Sequence, residues 1–269
     1  MDTEKRKILI LQVVNTMAFL VMVILNALAN ILPINNQTTG GVSDKYPDLF
    51  APAGITFSIW GLIYLLLGLF ILYQLGLFTR KDNSHEKAIL QTGWLFALSS
   101  FANALWIILW HHDMILLSLV MMVAILLCLI GITSKIYKSE PDRMQAWFYK
   151  PAFSVYLGWI TVASIANVTA LLVSAGWNGF GIPEWVWTIA MMAIATVLTF
   201  LYIFLKSDII FSLVVVWAFM GIVLKHVTVF NSEYIQVIIG GSLFMGLIGA
   251  AILCRLMPFK CKPRNEELD

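Results

Sequence analysis

Residues 114–134 read MILLSLVMMVAILLCLIGITS, and no charged side chain stands among them. Asp113 precedes the stretch and Lys135 follows it. An α-helix needs about 20 predominantly apolar residues to cross the hydrocarbon core of a bilayer, which is roughly 30 Å thick. The stretch therefore predicts a transmembrane α-helix that ends at a polar residue on each side.

Seven further apolar stretches lie on either side of this one. The eight predicted spans cover residues 8–33, 54–78, 89–110, 114–134, 151–175, 185–205, 209–224 and 234–256. Composition agrees, because 60% of the residues are hydrophobic and only 12% are charged, whereas a soluble domain carries about 25% charged residues. We expect an all-α polytopic membrane helix bundle of about eight transmembrane helices, surrounded by the lipid bilayer. The net charge of +2 gives no support to a nucleic-acid partner.

The positive charges are distributed unevenly over the loops. Fifteen of the 17 Lys and Arg residues lie in the two tails and the even-numbered loops, whereas Lys45 and Lys225 alone lie in odd-numbered loops. Cytoplasmic loops retain Lys and Arg, so both termini are predicted to be cytoplasmic. We expect a multi-pass protein of the cell membrane, the bacterial cytoplasmic membrane in particular. The break between spans six and seven depends on residues 206–208, which we interpret as a tight polar turn at an interface.

The N-terminal segment allows a second interpretation. Lys5-Arg6-Lys7, the apolar run after it and Ala27-Leu28-Ala29 resemble a signal peptide with a cleavage site. The apolar run is longer than the hydrophobic region of a usual signal peptide. We therefore expect a retained first helix, with cleavage before Asn30 as the alternative.

Ionisable residues are missing from the interior of the predicted spans. Such groups in a membrane usually mark proton relays or ion pathways, so their absence argues against an ion-coupled pump. It also leaves no base and nucleophile for ordinary hydrolytic chemistry, and we predict no catalytic residues. His111 and His112 are a poor pair of metal ligands, because adjacent helical residues point about 100° apart. We predict no metal site and no required cofactor.

Two features of the chain suit a binding site. The outer loop, residues 34–53, is the longest connection and is rich in turn-forming residues, so it is either a functional lid or a solvated spacer. Amides within the spans must find partners in hydrocarbon. Asn26, Asn103 and Asn167 either join helices or line a pocket, and both interpretations remain open.

Three motifs occur in order along the chain. The second span carries Phe50-Ala51-Pro52, Phe57, Trp60-Gly61 and Tyr64, the third carries Asn103-x-x-Trp106, and the fifth carries Tyr156-x-x-Trp159-x-x-x-Ala163-x-x-x-Asn167. Together they resemble the TspO/MBR family, the tryptophan-rich sensory or translocator proteins. The resemblance covers roughly residues 10–177, which include five of the eight spans.

This resemblance implies a pocket between the helices, beneath the first loop, for a porphyrin, haem or similar hydrophobic ligand. The residues that it places in the pocket wall are Pro52, Phe57, Trp60, Tyr64, Asn103, Trp106, Tyr156, Trp159 and Asn167. It also implies a homodimer. Ala53-Gly54 stand where the family usually has a Trp soon after its prolines. We expect residues 1–177 to form a five-helix bundle of this type. Residues 178–269 would add three transmembrane helices and a basic cytoplasmic tail.

Three functions follow from these patterns. The first is a membrane protein that binds a hydrophobic small molecule in an aromatic pocket, as a sensor or regulator. The second is a transporter or permease component for an uncharged or amphiphilic solute. The third is a scaffold that holds another membrane protein through Ser242, Gly246 and Ala250, whose small-xxx-small spacing favours close helix contact.

Overall fold

The computed structural model describes residues 3–32, 34–78, 84–139 and 145–257, and all regular structure in these ranges is helical. Nine α-helices lie in the described part of the chain. They are α1 (Thr3–Ile31), α2 (Thr39–Asp44), α3 (Ile59–Gln74), α4 (Ser84–His111), α5 (Ile115–Lys138), α6 (Lys150–Ser174), α7 (Glu184–Lys206), α8 (Ile209–Thr228) and α9 (Ile235–Leu256). All except α2 are long and apolar enough to cross a membrane, α3 together with the 3-10 turn before it. The eight-span prediction is confirmed.

The helices pack around two central spans. Helix α6 contacts α3, α5 and α8, and α8 in turn contacts α7 and α9, while α1 packs mainly on α4. A close approach joins the two central helices at Gly158. A Cβ there would lie 3.0 Å from Val214 Cβ and 3.1 Å from the carbonyl oxygen of Phe211. Glycine at this position thus permits α8 to pack directly against α6, and the last three helices are attached to the first five.

The outer loop is folded against the helices. It contains the short helix α2, whose first turn is capped by the Thr38 hydroxyl, which accepts a 3.1 Å hydrogen bond from the Gly41 N–H. Val42, Leu49 and Phe50 of this loop are buried. A loop that buries apolar side chains is a packed cover over the bundle, which favours the lid interpretation over a solvated spacer.

The turn between α7 and α8 forms as predicted, but its acid is not an interfacial residue. Ser207 adopts a left-handed conformation with φ of 52°, and Asp208 caps α8 by accepting a 3.1 Å hydrogen bond from the Phe211 N–H. Asp208 is fully buried. It accepts a 2.6 Å hydrogen bond from the Ser154 hydroxyl and another from the Tyr137 hydroxyl. Hydroxyl donors from two other helices stabilise a carboxyl group that the sequence placed at the surface.

The seventh span is longer than predicted. Helix α8 continues to Thr228, so Lys225 and His226 lie in its last turn instead of in a loop, and both are buried. Lys225 forms an ion pair of 3.2 Å with Asp44 of α2. Because ionisable side chains near a helix end are stabilised by polar partners, hydropathy alone ends the span too early.

The small-residue face of α9 points away from the other described helices. Ser242, Gly246 and Ala250 are exposed, and no atom of the described residues lies within 4 Å of a Cβ placed on Gly246. The neighbouring Gly241 packs inside the monomer, where a Cβ would lie 2.7 Å from Val223. The face that we predicted for a partner is therefore not used within the monomer.

Candidate functional site

An aromatic cluster lies at the centre of the first five long helices, with Trp60 of α3 in its middle. The ring of Trp60 lies 5.6 Å from that of Tyr64, which is one helical turn away, and 5.6 Å from that of Trp106 on α4. On α6, Tyr156 lies at 6.1 Å and Trp159 at 6.3 Å from Trp60, both edge to face. These separations are those of favourable ring contacts. We call these five residues the aromatic cluster.

A line of hydrogen bonds runs below the cluster. The Asn26 amide donates a 2.7 Å bond to Asn103 Oδ1, and the Asn103 amide donates a 3.0 Å bond to the Tyr156 hydroxyl. All three side chains are buried. The amides thus join α1, α4 and α6, and they also fix the orientation of the Tyr156 ring. Joining helices and contributing to a pocket, the two interpretations that the sequence left open, are therefore compatible.

A small cavity of about 30 Å³ lies above the cluster, under the outer loop. Its lining includes six of the residues named by the motifs, which are Pro52, Phe57, Trp60, Trp106, Trp159 and Asn167. A volume of this size holds about one water molecule. The aromatic side chains therefore fill most of the space in which a ligand would lie.

A larger cleft lies on the other side of Trp60. It measures about 700 Å³ and is lined by residues of α1, α2 and α3, among them Asn30, Phe57, Trp60 and Tyr64. Phe57 and Trp60 line both the cleft and the small cavity. These two side chains therefore lie between the small cavity in the bundle and the cleft between α1 and α3.

Several polar atoms of the cluster have no hydrogen-bond partner in the described part of the chain. They are the indole N–H groups of Trp106 and Trp159 and the hydroxyl of Tyr64, and all three atoms are buried. A buried polar group without a partner costs about 1–3 kcal/mol. Trp106 and Trp159 line the small cavity, so a ligand there that carries acceptor atoms would stabilise their N–H groups, whereas Tyr64 lines the larger cleft.

The structure brings all nine residues named by the motifs to this region. Asn167, on α6, lines the cavity and accepts a 3.3 Å hydrogen bond from the Ser118 hydroxyl of α5. Six further lining residues were not among the nine, and they are Ser43, Trp110, Met122, Val162, Ala163 and Ala166. Trp110 donates a 3.1 Å hydrogen bond to the Thr39 carbonyl and so ties α4 to α2. Its spacing from Trp106, one helical turn, is the signal that could have identified it.

Helix α8 holds the end of the outer loop. The Ala53 N–H donates a 3.0 Å hydrogen bond to the Gly221 carbonyl, and the Trp217 indole N–H donates a 3.0 Å bond to the Thr56 carbonyl. Pro52, which lines the cavity, directly precedes Ala53. The last three helices thus take part in positioning the pocket wall, which the sequence did not indicate.

Polar side chains also hold the outer loop against the turn between α4 and α5. Lys45 forms a 2.8 Å ion pair with Asp113, and the hydrogen bond from Lys45 is the main reason that the pKa of Asp113 lies below its usual value. His111 contacts Thr39 Oγ1 and the Ile34 carbonyl, each at 3.3 Å. Among the residues that the structure describes, no three potential metal ligands come together.

Comparison with known proteins gives one family. A family model described as TSPO-like protein matches residues 12–254. No match was found among curated proteins, and none among solved structures. The matched range passes through all eight spans and does not stop at residue 177.

Proposed function

This chain belongs to the TSPO-like protein family, and from that membership and the geometry of the aromatic cluster we propose that it binds a flat hydrophobic molecule, a porphyrin or haem, between its helices. The observation that carries the proposal is the set of unpartnered indole N–H groups of Trp106 and Trp159 beside the cavity. Ligand pockets are mostly apolar with a few convergent polar groups. The aromatic cluster is likewise mostly apolar, and its polar groups are few.

Aromatic walls favour a flat ligand. Trp60, Trp106 and Trp159 offer ring faces and edges within about one ring diameter of one another, at centroid separations of 5.6 and 6.3 Å. A tetrapyrrole presents a large π-surface that can stack on such rings. Its peripheral carboxylates would accept hydrogen bonds from the indole N–H groups, which the protein leaves unsatisfied.

Binding requires Trp60 and Phe57 to move. The cavity of about 30 Å³ is far below the roughly 300–1,000 Å³ of ordinary ligand pockets, whereas the cleft beside it measures about 700 Å³. Rotation of these two side chains would join the two spaces. The ligand would then stabilise an open conformation that is a minor state without it. A change of this kind under the outer loop suits a sensor or regulator.

Protoporphyrin IX and haem are the probes for the test. Titration of the purified full-length protein, followed by the porphyrin absorption band, should saturate. Trp106→Phe and Trp159→Phe retain a ring but lose the N–H donor, so each should weaken binding roughly fivefold, as expected for one hydrogen bond of about 1 kcal/mol. Trp94→Phe is the matched control, since Trp94 lies on the same helix as Trp106 but is exposed.

Two results would contradict the proposal. One is the lack of any saturable change with both probes. The other is equal affinity in the wild type, Trp106→Phe and Trp159→Phe. The transport function that the sequence also suggested is tested separately, by flux of uncharged or amphiphilic solutes into proteoliposomes.

A further inference from the structure

A second cleft lies beside the outer loop, between α6 and α7, and we call it the α6–α7 cleft. Its volume is about 310 Å³, within the range of small-molecule sites. It is separate from the aromatic cluster, and none of its lining residues lines the small cavity. The residues that determine its chemistry are Asp48, Phe50, Trp177, Glu184 and Trp187.

Two carboxyl groups line this cleft. Asp48 is only 4% exposed, and its Oδ1 accepts hydrogen bonds of 2.8 and 2.7 Å from the N–H groups of Phe50 and Ala51. Within the described ranges, Oδ2 of Asp48 has no hydrogen-bond partner. Glu184 uses Oε1 to accept a 2.9 Å bond from the Leu49 N–H. Each carboxyl group therefore retains one oxygen for a ligand.

Trp177 and Trp187 also line the cleft. Their centroids lie 5.2 Å apart with the rings inclined at 57°. The Trp187 indole N–H donates a 3.1 Å hydrogen bond to the Gly179 carbonyl, which fixes the ring. The N–H of Trp187 is thus occupied, so Trp187 contributes its ring and not a free donor to the cleft. Tryptophan faces attract cations that lie within about 6 Å of the ring.

The charge around the cleft is predominantly negative. The positive charge of Lys225 lowers the pKa of Asp48, but Lys225 forms its ion pair with Asp44, and neither residue lines the cleft. Asp48 has no salt-bridge partner within 4 Å among the described residues. Two acids and two tryptophan rings in one cleft would together attract a positive charge attached to an apolar group.

We propose that the α6–α7 cleft binds an organic ammonium ion that carries an aromatic or apolar group. The ammonium would donate hydrogen bonds to Asp48 Oδ2 and to the free oxygen of Glu184. The apolar group would lie against Trp177 and Trp187. This site does not depend on porphyrin binding, because the two sites share no lining residue.

Phenethylamine and its neutral analogue 2-phenylethanol are matched probes, since they differ chiefly in the charged group. Isothermal titration of the full-length protein in detergent at pH 7.5 should show saturable binding of the amine. The alcohol should bind at least about tenfold more weakly, because a hydrogen bond to a charged group is stronger than one between neutral groups.

Substitutions locate the binding site. Glu184→Gln and Asp48→Asn preserve side-chain shape and remove one charge each, so each should weaken amine binding about tenfold or more. Trp177→Leu should also weaken it. Glu233→Gln is the control, since Glu233 is an exposed acid between α8 and α9 that does not line the cleft. It should leave the affinity for the amine unchanged.

Three outcomes would overturn the proposal. They are no amine binding at millimolar concentration, equal binding of amine and alcohol, or an unchanged affinity in both Glu184→Gln and Trp177→Leu. Asp48 is buried and also orders the backbone of Phe50 and Ala51, so Asp48→Asn can disturb the loop. Glu184→Gln and Trp177→Leu test the proposal without that complication.

Discussion

The Ala53 N–H and the Gly221 carbonyl form a 3.0 Å hydrogen bond between the end of the outer loop and the middle of α8. At the same level, a Cβ on Gly221 would lie 2.0 Å from Thr56 Oγ1. The helix and the loop are therefore in direct contact, with no room for a side chain. Any change in the position of α8 would be transmitted to Pro52 and so to the wall of the small cavity.

Gly221→Ala should separate α8 from the loop. The added methyl group meets the Thr56 side chain at a distance that no pair of carbon and oxygen atoms tolerates. We expect a loss of about 1–3 kcal/mol in the free energy of unfolding, as for other overpacked sites. Thermal denaturation in detergent measures it. Gly246→Ala is the control, because its Cβ would meet no atom within 4 Å in the described part of the chain. Equal melting temperatures of the two variants would contradict the prediction.

Asp208→Ala should destabilise the predicted cytoplasmic end of the bundle. It removes the cap of α8 and leaves the hydroxyls of Tyr137 and Ser154 without their acceptor. Loss of a helix cap costs about 1 kcal/mol and a buried unsatisfied group about 1–3 kcal/mol. Asp208→Asn, which keeps an acceptor oxygen, should lose less. If the two variants melt at the same temperature, the carboxyl group does not have this role.

Asp48 should make stability depend on pH. Burial raises the pKa of its carboxyl group to about 6. The folded protein then binds a proton more tightly than the unfolded chain, so this stabilising contribution is complete below the usual aspartate range and is lost as pH rises through about 6. Wild type should melt at a higher temperature at pH 4.5 than at pH 7.5, by a margin that shrinks in Asp48→Asn.

Other titratable groups face Asp48, and the comparison with Asp48→Asn separates them. Lys225 and His226 come from α8, Glu184 from α7 and Asp44 from α2. They remain in the variant, so only the difference between the two pH profiles reports on Asp48. Profiles that run parallel would show that the carboxyl group is not the cause. Amine binding in the α6–α7 cleft should have the opposite pH dependence and weaken below about pH 6, because it requires the ionised carboxylate.

Gly246→Leu should weaken self-association without weakening the fold. The exposed face of Ser242, Gly246 and Ala250 has the spacing of close helix pairs, and a Cβ at Gly246 has no atom of the described residues within 4 Å. Light scattering of the detergent complex would show a dimer in wild type and a monomer in the variant, with nearly the same melting temperature. A wild type that is monomeric in lipid nanodiscs as well as in detergent would contradict the prediction.

The spans could be predicted from the sequence because each one must satisfy the same local requirement for length and hydropathy. The contacts between them could not. The attachment of Ala53 to Gly221 joins residues far apart in the chain, and no periodicity indicates it. Lys225 lies in the last turn of α8, where the Asp44 carboxylate of α2 offsets the cost of burying a charge. A hydropathy scale takes no account of such a partner.

The residues assigned to the aromatic pocket were named from the family resemblance, whereas no sequence pattern indicated the α6–α7 cleft. Trp177 and Trp187 stand near the ends of predicted spans, where tryptophan is common at the membrane interface. No local sequence feature distinguishes a tryptophan at the membrane interface from one that lines a cleft together with a carboxyl group. Asp48, on the loop, shares the cleft with them only because the loop folds back over α6.

The cleft between α1 and α3 has a consequence for how affinity is expressed. It is lined by residues of both spans and of the outer loop, and Phe57 and Trp60 line both this cleft and the small cavity. For a hydrophobic ligand that reached this cleft from the bilayer, the concentration that governs occupancy would be its mole fraction among the lipids. At a fixed total amount of ligand, adding lipid without protein would dilute it and lower occupancy. An apparent dissociation constant in molar units would then vary with the lipid-to-protein ratio.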